Sequence, residues 1–148
     1  MSQSLSKVYV HIVFSTKQRQ ELINEGVRKE LQAYMVATFS QLNSYVEAIY
    51  ANPEHVHVLA TLPRILSIAS LVSKVKSSSS KWMKGKGIQD FFWQDGYAIF
   101  SVSASKVETV KQYILKQKQH HQRTYFKDEL REFLKRYNVE FDERYVWD

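Results

Sequence analysis

The sequence predicts an α+β fold, an antiparallel four-stranded sheet with helices on one face. Three observations predict it. Four short segments, "KVYVHIVFST", "SYVEAIYA", "HVHVLATL" and "GYAIFSVS", are rich in β-branched and aromatic residues. Stretches with helical spacing lie between the first and second and between the third and fourth. Only Asn52, Pro53 and Glu54 separate the middle two segments, a hairpin connection.

In the first strand Val8, Val10, Ile12 and Phe14 share one face and Tyr9, His11 and Val13 the other. "GVRKELQAYMVATFSQL" carries Val27, Leu31, Tyr34, Met35 and Thr38 or Phe39 at helical intervals. The serine run in "SIASLVSKVKSSSSKWMKG" resembles a linker in composition. Ile68, Leu71, Val72, Val75, Ser79 and Trp82 nevertheless continue one stripe through it, so it reads as a helix, with Ser67 as N-cap and Gly85 and Gly87 at its end. "SKVETVKQYILKQKQHHQ" predicts a third helix, opened by a capping box of Ser105 and Glu108, and "KDELREFLKRYNV" a shorter final one. The order strand, helix, strand, strand, helix, strand is that of the ferredoxin-like (RRM-like) βαββαβ fold. Its free sheet face would hold a site, and C-terminal helices would carry the tyrosine considered below. With 148 residues and neither repeats nor a boundary, residues 1–148 form one domain.

Charge and composition narrow the function. Hydrophobic residues at 44% and charged residues at 24% describe a globular chain rather than a disordered one. The absence of cysteine excludes disulfides, thiolate metal sites and a cysteine nucleophile, and fits a reducing cytoplasm. The N-terminal apolar run is too short and interrupted for a signal peptide or membrane span, so a soluble cytoplasmic protein with no membrane partner is expected. The net charge is +6 and concentrated. Lys74, Lys76, Lys81, Lys84 and Lys86 have no acid between them, and Lys106, Lys111, Lys116, Lys118 and Arg123 are opposed only by Glu108. Two such segments point to a polyanion, most simply nucleic acid, although lysine-rich surfaces are also common with no partner.

His55 and His57 sit two apart in the third strand, so both imidazoles leave one face of the sheet, where a cation could bridge them. Partly exposed structural histidines are the plain alternative. Tyr113 and Gln117 are four apart on the third helix and therefore neighbours. The Gln117 amide oxygen is a candidate third ligand and the Tyr113 phenol a candidate nucleophile; Ile114 and Leu115 would anchor the helix. Two imidazoles and an amide oxygen, without thiolate, suit Mg2+ or Mn2+ better than Zn2+. A cation gripping a phosphate would neutralise its charge and orient it for in-line attack by the phenol. His120 and His121 stand three and four beyond Gln117, so one could reach the same face, and they read mainly as structural or DNA-facing.

"NPEHVHVLATLP" resembles the histidine–hydrophobic–histidine (HUH) motif of the single-tyrosine transposases of small bacterial insertion sequences. "WQDGYAIFSVSASKVETVKQYILKQKQHHQRTYFKDEL", with its Tyr-x-x-x-Gln core, is similar to their downstream block. "FSTKQR" and "LVSKVKSSSSKW" also resemble the family. The resemblance implies metal-dependent nicking and rejoining of single-stranded DNA at hairpin-bearing element ends. Tyr113 would become joined to the 5′ end, and His55, His57 and Gln117 would be the metal ligands. It also implies a homodimer in which one subunit's tyrosine helix can complete the other's site. Lys74, Lys76, Lys81, Lys84, Lys116 and Lys118 are then candidate phosphate contacts, and Trp82 a base-stacking platform. Two other readings remain: a related nickase and strand transferase serving replication or repeat maintenance, and a non-catalytic nucleic-acid-binding module.

Overall fold

The computed structural model describes residues 2–121 and 123–148. Strands β1 (Tyr9–Ser15), β2 (Val46–Ala51), β3 (His55–Thr61) and β4 (Ala98–Val102) form one sheet in the order β2-β3-β1-β4. Every pairing is antiparallel, which confirms the ferredoxin-like order. The histidine strand is central, hydrogen-bonded on both edges.

Helices α1 (Glu25–Gln41) and α2 (Ile68–Gly85) cover one face. Asn24 caps α1 by accepting the Val27 N–H at 3.0 Å. The α1 residues Leu31, Met35 and Phe39 and the α2 residues Leu71, Val72, Val75 and Met83 bury Ile12, Phe14, Val56 and Val58. The serine run is helical, as its spacing predicts. Ser79 is buried because its hydroxyl donates to the Val75 carbonyl at 2.7 Å and accepts the Trp93 indole N–H at 2.9 Å. Gly87 has φ +95°, a conformation that favours glycine, and its N–H closes on the Lys84 carbonyl beyond the helix end. Ser67 accepts the Ser70 N–H at 3.0 Å. Ser67→Ala is expected to cost about 1 kcal/mol, measured as a lower urea midpoint at unchanged slope; an unchanged midpoint would remove the cap's contribution.

Two expectations are corrected on the opposite face. That face is not open: α3 (Val107–Leu115), α4 (Gln117–His121) and α5 (Phe126–Arg136) lie over it. Phe126, Leu130 and Leu134 pack on Val13 and Phe100, and Ile114 packs on Leu59 and Val102. The apolar residues of this face need cover as much as those of the other, and the C-terminal helices supply it.

The third helix is also not continuous. It begins as a 3₁₀ turn over Ala104–Lys106, runs as α3, breaks at Lys116 and resumes as α4; Gln122, the last residue of the predicted stretch, lies outside the described residues. No capping box forms, since Lys106 holds the cap position and the Ser105 hydroxyl pairs with that of Ser103. The break lets Ile114 face the sheet while Gln117 turns inward, and it leaves Leu115 exposed rather than anchoring. No helix among the described residues is long and apolar enough to cross a membrane.

Candidate active site

Strand alternation sends His11 from β1 and His55 and His57 from β3 to the face under α3–α5. All three are buried, with His57 0% exposed. In both β3 histidines one ring nitrogen is held from behind and the other points inward. His55 Nδ1 bonds to Glu54 Oε1, and His57 Nδ1 lies 2.8 Å from His11 Nε2. The hairpin turn bearing Glu54 is braced by the Thr16 N–H, which donates to the Glu54 carbonyl at 2.8 Å. Outer partners of this kind fix imidazole orientation and leave the second nitrogen free for a ligand.

The two inward nitrogens converge on a carboxylate that sequence reading does not single out. Glu129 of α5 is 5% exposed, and its Oε1 lies 2.9 Å from His57 Nε2 and 3.2 Å from His55 Nε2. Its Oε2 accepts a short hydrogen bond from the Tyr113 hydroxyl and the Gln117 amide at 3.2 Å, and lies 3.1 Å from His120 Nε2. The Gln117 oxygen accepts the Asn52 amide at 3.1 Å, and that same Asn52 nitrogen is 3.1 Å from His55 Nε2. His121 Nε2 reaches Glu54 at 2.6 Å. Both His120 and His121 therefore join the site. No buried side-chain polar atom among the described residues lacks a partner.

Burial alone would push the Glu129 carboxyl up, but the His57 charge and hydrogen bonds from His55 and His57 outweigh it and hold the pKa well below the carboxylate range. Burial lowers His57, and Glu129 offsets this only in part. For His55 the bonds to Glu129 and Glu54 outweigh burial and raise it. Burial, then the Glu129 charge, pushes the Tyr113 phenol far above its ordinary value. In this arrangement the hydroxyl is a proton donor rather than a nucleophile.

Two donor groups could hold a divalent cation: His55, His57 and Glu129, and Glu54, His55 and His121. In each the donor atoms lie within 4.8 Å of one another. A cavity of about 190 Å³ opens onto Tyr113 and Glu129 between His120, Phe133 and Arg136. A cleft of about 450 Å³ reaches Glu54 and His121 past Arg19, Lys127 and Arg131.

The residues expected at the site separate cleanly. His55, His57, Tyr113 and Gln117 come together in a single chain. The α2 lysines lie beyond the sheet from the histidines. Lys76 Nζ binds the carbonyls of Gln94, Asp95 and Gly96, and Lys84 Nζ binds that of Phe91 at 2.6 Å. Lys74, Lys81, Lys116 and Lys118 are exposed. Trp82 stacks on Tyr34 with ring centroids 5.4 Å apart. His11, Glu54 and Glu129 belong to the same buried cluster, and sequence reading does not single them out. A signal for Glu129 exists: it sits on the stripe Phe126, Leu130, Phe133, Leu134, so a carboxylate faces inward.

A central His-x-His strand thus faces the helix that carries Tyr113 in one α+β domain. The IS200-like transposase family model matches residues 4–117, and the chain belongs to that family. Among solved structures, one reported as a candidate transposase from Deinococcus radiodurans R1 superimposes with TM-score 0.62 at 21% identity, over 79% of this chain and 98% of that one. A REP-associated tyrosine transposase bound to a REP hairpin superimposes with TM-score 0.60 at 17% identity, over 82% and 74%. At these identities the likeness is one of fold. No curated protein matches the chain. By family, the protein is a transposase.

Proposed function

We propose that this transposase nicks and rejoins single-stranded DNA through Tyr113, with a divalent cation, Mg2+ or Mn2+, held by His55, His57 and Gln117. One observation carries the reading: in a single chain, the Tyr113 hydroxyl and the inward nitrogens of both histidines meet at the same carboxylate. The donor set fits a cation, since each imidazole is oriented from behind and turns its second nitrogen inward toward a shared carboxylate. When bound, the cation would withdraw charge from a phosphate and make its phosphorus more electrophilic. The Tyr113 oxygen loses its proton and forms the new bond to phosphorus, while the bond between phosphorus and the 3′ oxygen of the neighbouring nucleotide breaks and that oxygen takes up a proton. The 5′ end stays on Tyr113 until a 3′ hydroxyl attacks in the reverse sense, so the energy of the phosphodiester is kept for rejoining.

Hairpin DNA is the proposed ligand, by analogy with the solved REP-associated relative. Lys116, at the break, and Lys118, in α4, follow the helix that carries Tyr113 and would hold phosphates there. Lys74 and Lys81 would meet DNA passing round the edge of α2, whereas the Lys76 and Lys84 ammonium groups already hold backbone carbonyls. A homodimer is proposed as well, although the tyrosine needs no partner to reach the histidines. A denaturing gel of the protein with labelled single-stranded ends from the flanks of its own gene tests the reading. A fragment joined to the protein through its 5′ end, and a released fragment ending in a 3′ hydroxyl, are expected with Mn2+ or Mg2+ and neither with EDTA. Cutting that persists in EDTA, or a free 5′ phosphate with no adduct, would overturn it.

A further inference from the structure

We infer that Glu129 is itself a ligand of the catalytic cation, making the site a two-histidine, one-carboxylate centre whose carboxylate also holds the nucleophile. The inference rests on the metal-dependent reading above but puts Glu129 in the oxygen-ligand position given there to Gln117; Glu129 lies beyond the stretch matching the family, which ends at Gln117.

Three observations carry it. First, His55 Nε2 and His57 Nε2 both face one oxygen of Glu129, at 3.2 and 2.9 Å. Donor atoms at adjacent corners of an octahedron with bonds of about 2.1 Å stand about 3.0 Å apart. Each histidine nitrogen is thus spaced from Oε1 as a neighbouring ligand would be, and all three donor atoms lie within 4.8 Å of one another. Second, the two carboxylate oxygens have different neighbours. Oε1 belongs to the histidines, while Oε2 takes the Tyr113 hydroxyl and the Gln117 amide. One side chain therefore ties the cation's position to that of the attacking oxygen. Third, the amide of Gln117 directs its nitrogen to Glu129 and its oxygen to Asn52. Turning it round would set the Gln117 and Asn52 amide donors against each other, so the carboxylate is the oxygen ligand already in place.

The ligand chemistry sets a preference. Imidazole nitrogens bind Mn2+ more readily than Mg2+, which prefers oxygen and gives up water reluctantly. Mn2+ should therefore bind more tightly than Mg2+, and the carboxylate should strengthen both by its charge.

The test is a titration of the full chain, without DNA, by Mn2+ followed through the electron paramagnetic resonance of free Mn2+. Wild type, Glu129→Gln and His57→Ala are compared after each is shown to unfold cooperatively. Glu129→Gln is expected to weaken Mn2+ binding at least tenfold, and His57→Ala to weaken it further. Mn2+ binding by Glu129→Gln as tight as wild type would overturn the inference and leave the two-histidine reading standing. Tighter binding would also overturn it, showing that the carboxylate competes with the cation. Binding unaffected by His57→Ala would remove the metal reading and this inference together. A second readout uses the wild-type chain alone. Mn2+ is expected to shift carboxylate stretching bands in the infrared difference spectrum, and a spectrum without such a shift would overturn the assignment whatever the variants do.

Discussion

Tyr113→Phe is expected to abolish the covalent protein–DNA adduct and to lower strand cleavage by at least about 10⁴-fold, the scale on which removal of a nucleophile acts, while single-stranded DNA binding is kept. The variant removes one oxygen and leaves the ring. That ring packs on His57, His120 and Phe133 with centroids 5.7, 5.1 and 5.6 Å away, so the aromatic cluster survives. Glu129 loses the phenol but keeps the two histidine nitrogens, His120 and the Gln117 amide. Binding depends on charge elsewhere and should still weaken steeply with salt. The same geometry predicts the result of mixing. Tyr113 sits over the histidines of its own chain, so mixing Tyr113→Phe with His57→Ala subunits is expected to restore little cleavage. Efficient restoration would show that the tyrosine works across a dimer. Cleavage by Tyr113→Phe at the wild-type rate would remove Tyr113 from the chemistry.

His57→Ala is expected to eliminate Mn2+-stimulated cleavage and also to destabilise the fold. His57 is fully buried and links His11 behind it to Glu129 in front. Its removal leaves a ring-sized void and takes a partner from two buried polar groups. An unsatisfied buried group costs about 1–3 kcal/mol, so a clear fall in melting temperature should accompany the loss of activity. The two effects separate experimentally. Below the lowered melting temperature the variant remains folded, and added Mn2+ should then neither raise its melting temperature nor produce an adduct. Normal cleavage by His57→Ala without added ion would remove the histidine from the metal site.

The phenol raises a physical question that the site itself answers. Burial and the charge of Glu129 both oppose its ionisation. Under the proposed reaction its reactivity would rise when that charge is balanced and the hydroxyl leaves the carboxylate for a phosphate, and Glu129 would hold the phenol dormant until then.

Much of this was readable along the chain. Period-two alternation set the faces of β1 and β3, and so placed His55 and His57 together opposite Val56 and Val58. Leu71, Val72, Val75 and Ser79 kept α2 helical through four serines, because side chains at helical spacing pack whatever the intervening composition; at the ends of the stripe the structure exposes Ile68 and buries Met83 in place of Trp82. Four-residue spacing brought Tyr113 beside Gln117 and survived the break at Lys116. The capping box failed, because the chain leaving β4 turns as a 3₁₀ segment and Ser105 spends its hydroxyl on Ser103. The sheet face is covered rather than open because Phe126, Leu130 and Leu134 of α5 bury themselves against Val13 and Phe100.

The sequence by itself determined the sheet order, the pairing of the two imidazoles and the tyrosine helix that answers them, since strand and helix periodicities act over a few residues. Only the tertiary structure decided that Glu129, 72 residues from His57, stands between them. Spacing along the chain carries no information about which distant carboxylate a folded sheet face will bury. That choice follows from how α5 closes over Val13 and Phe100, where burying apolar area brings the carboxylate inward with it.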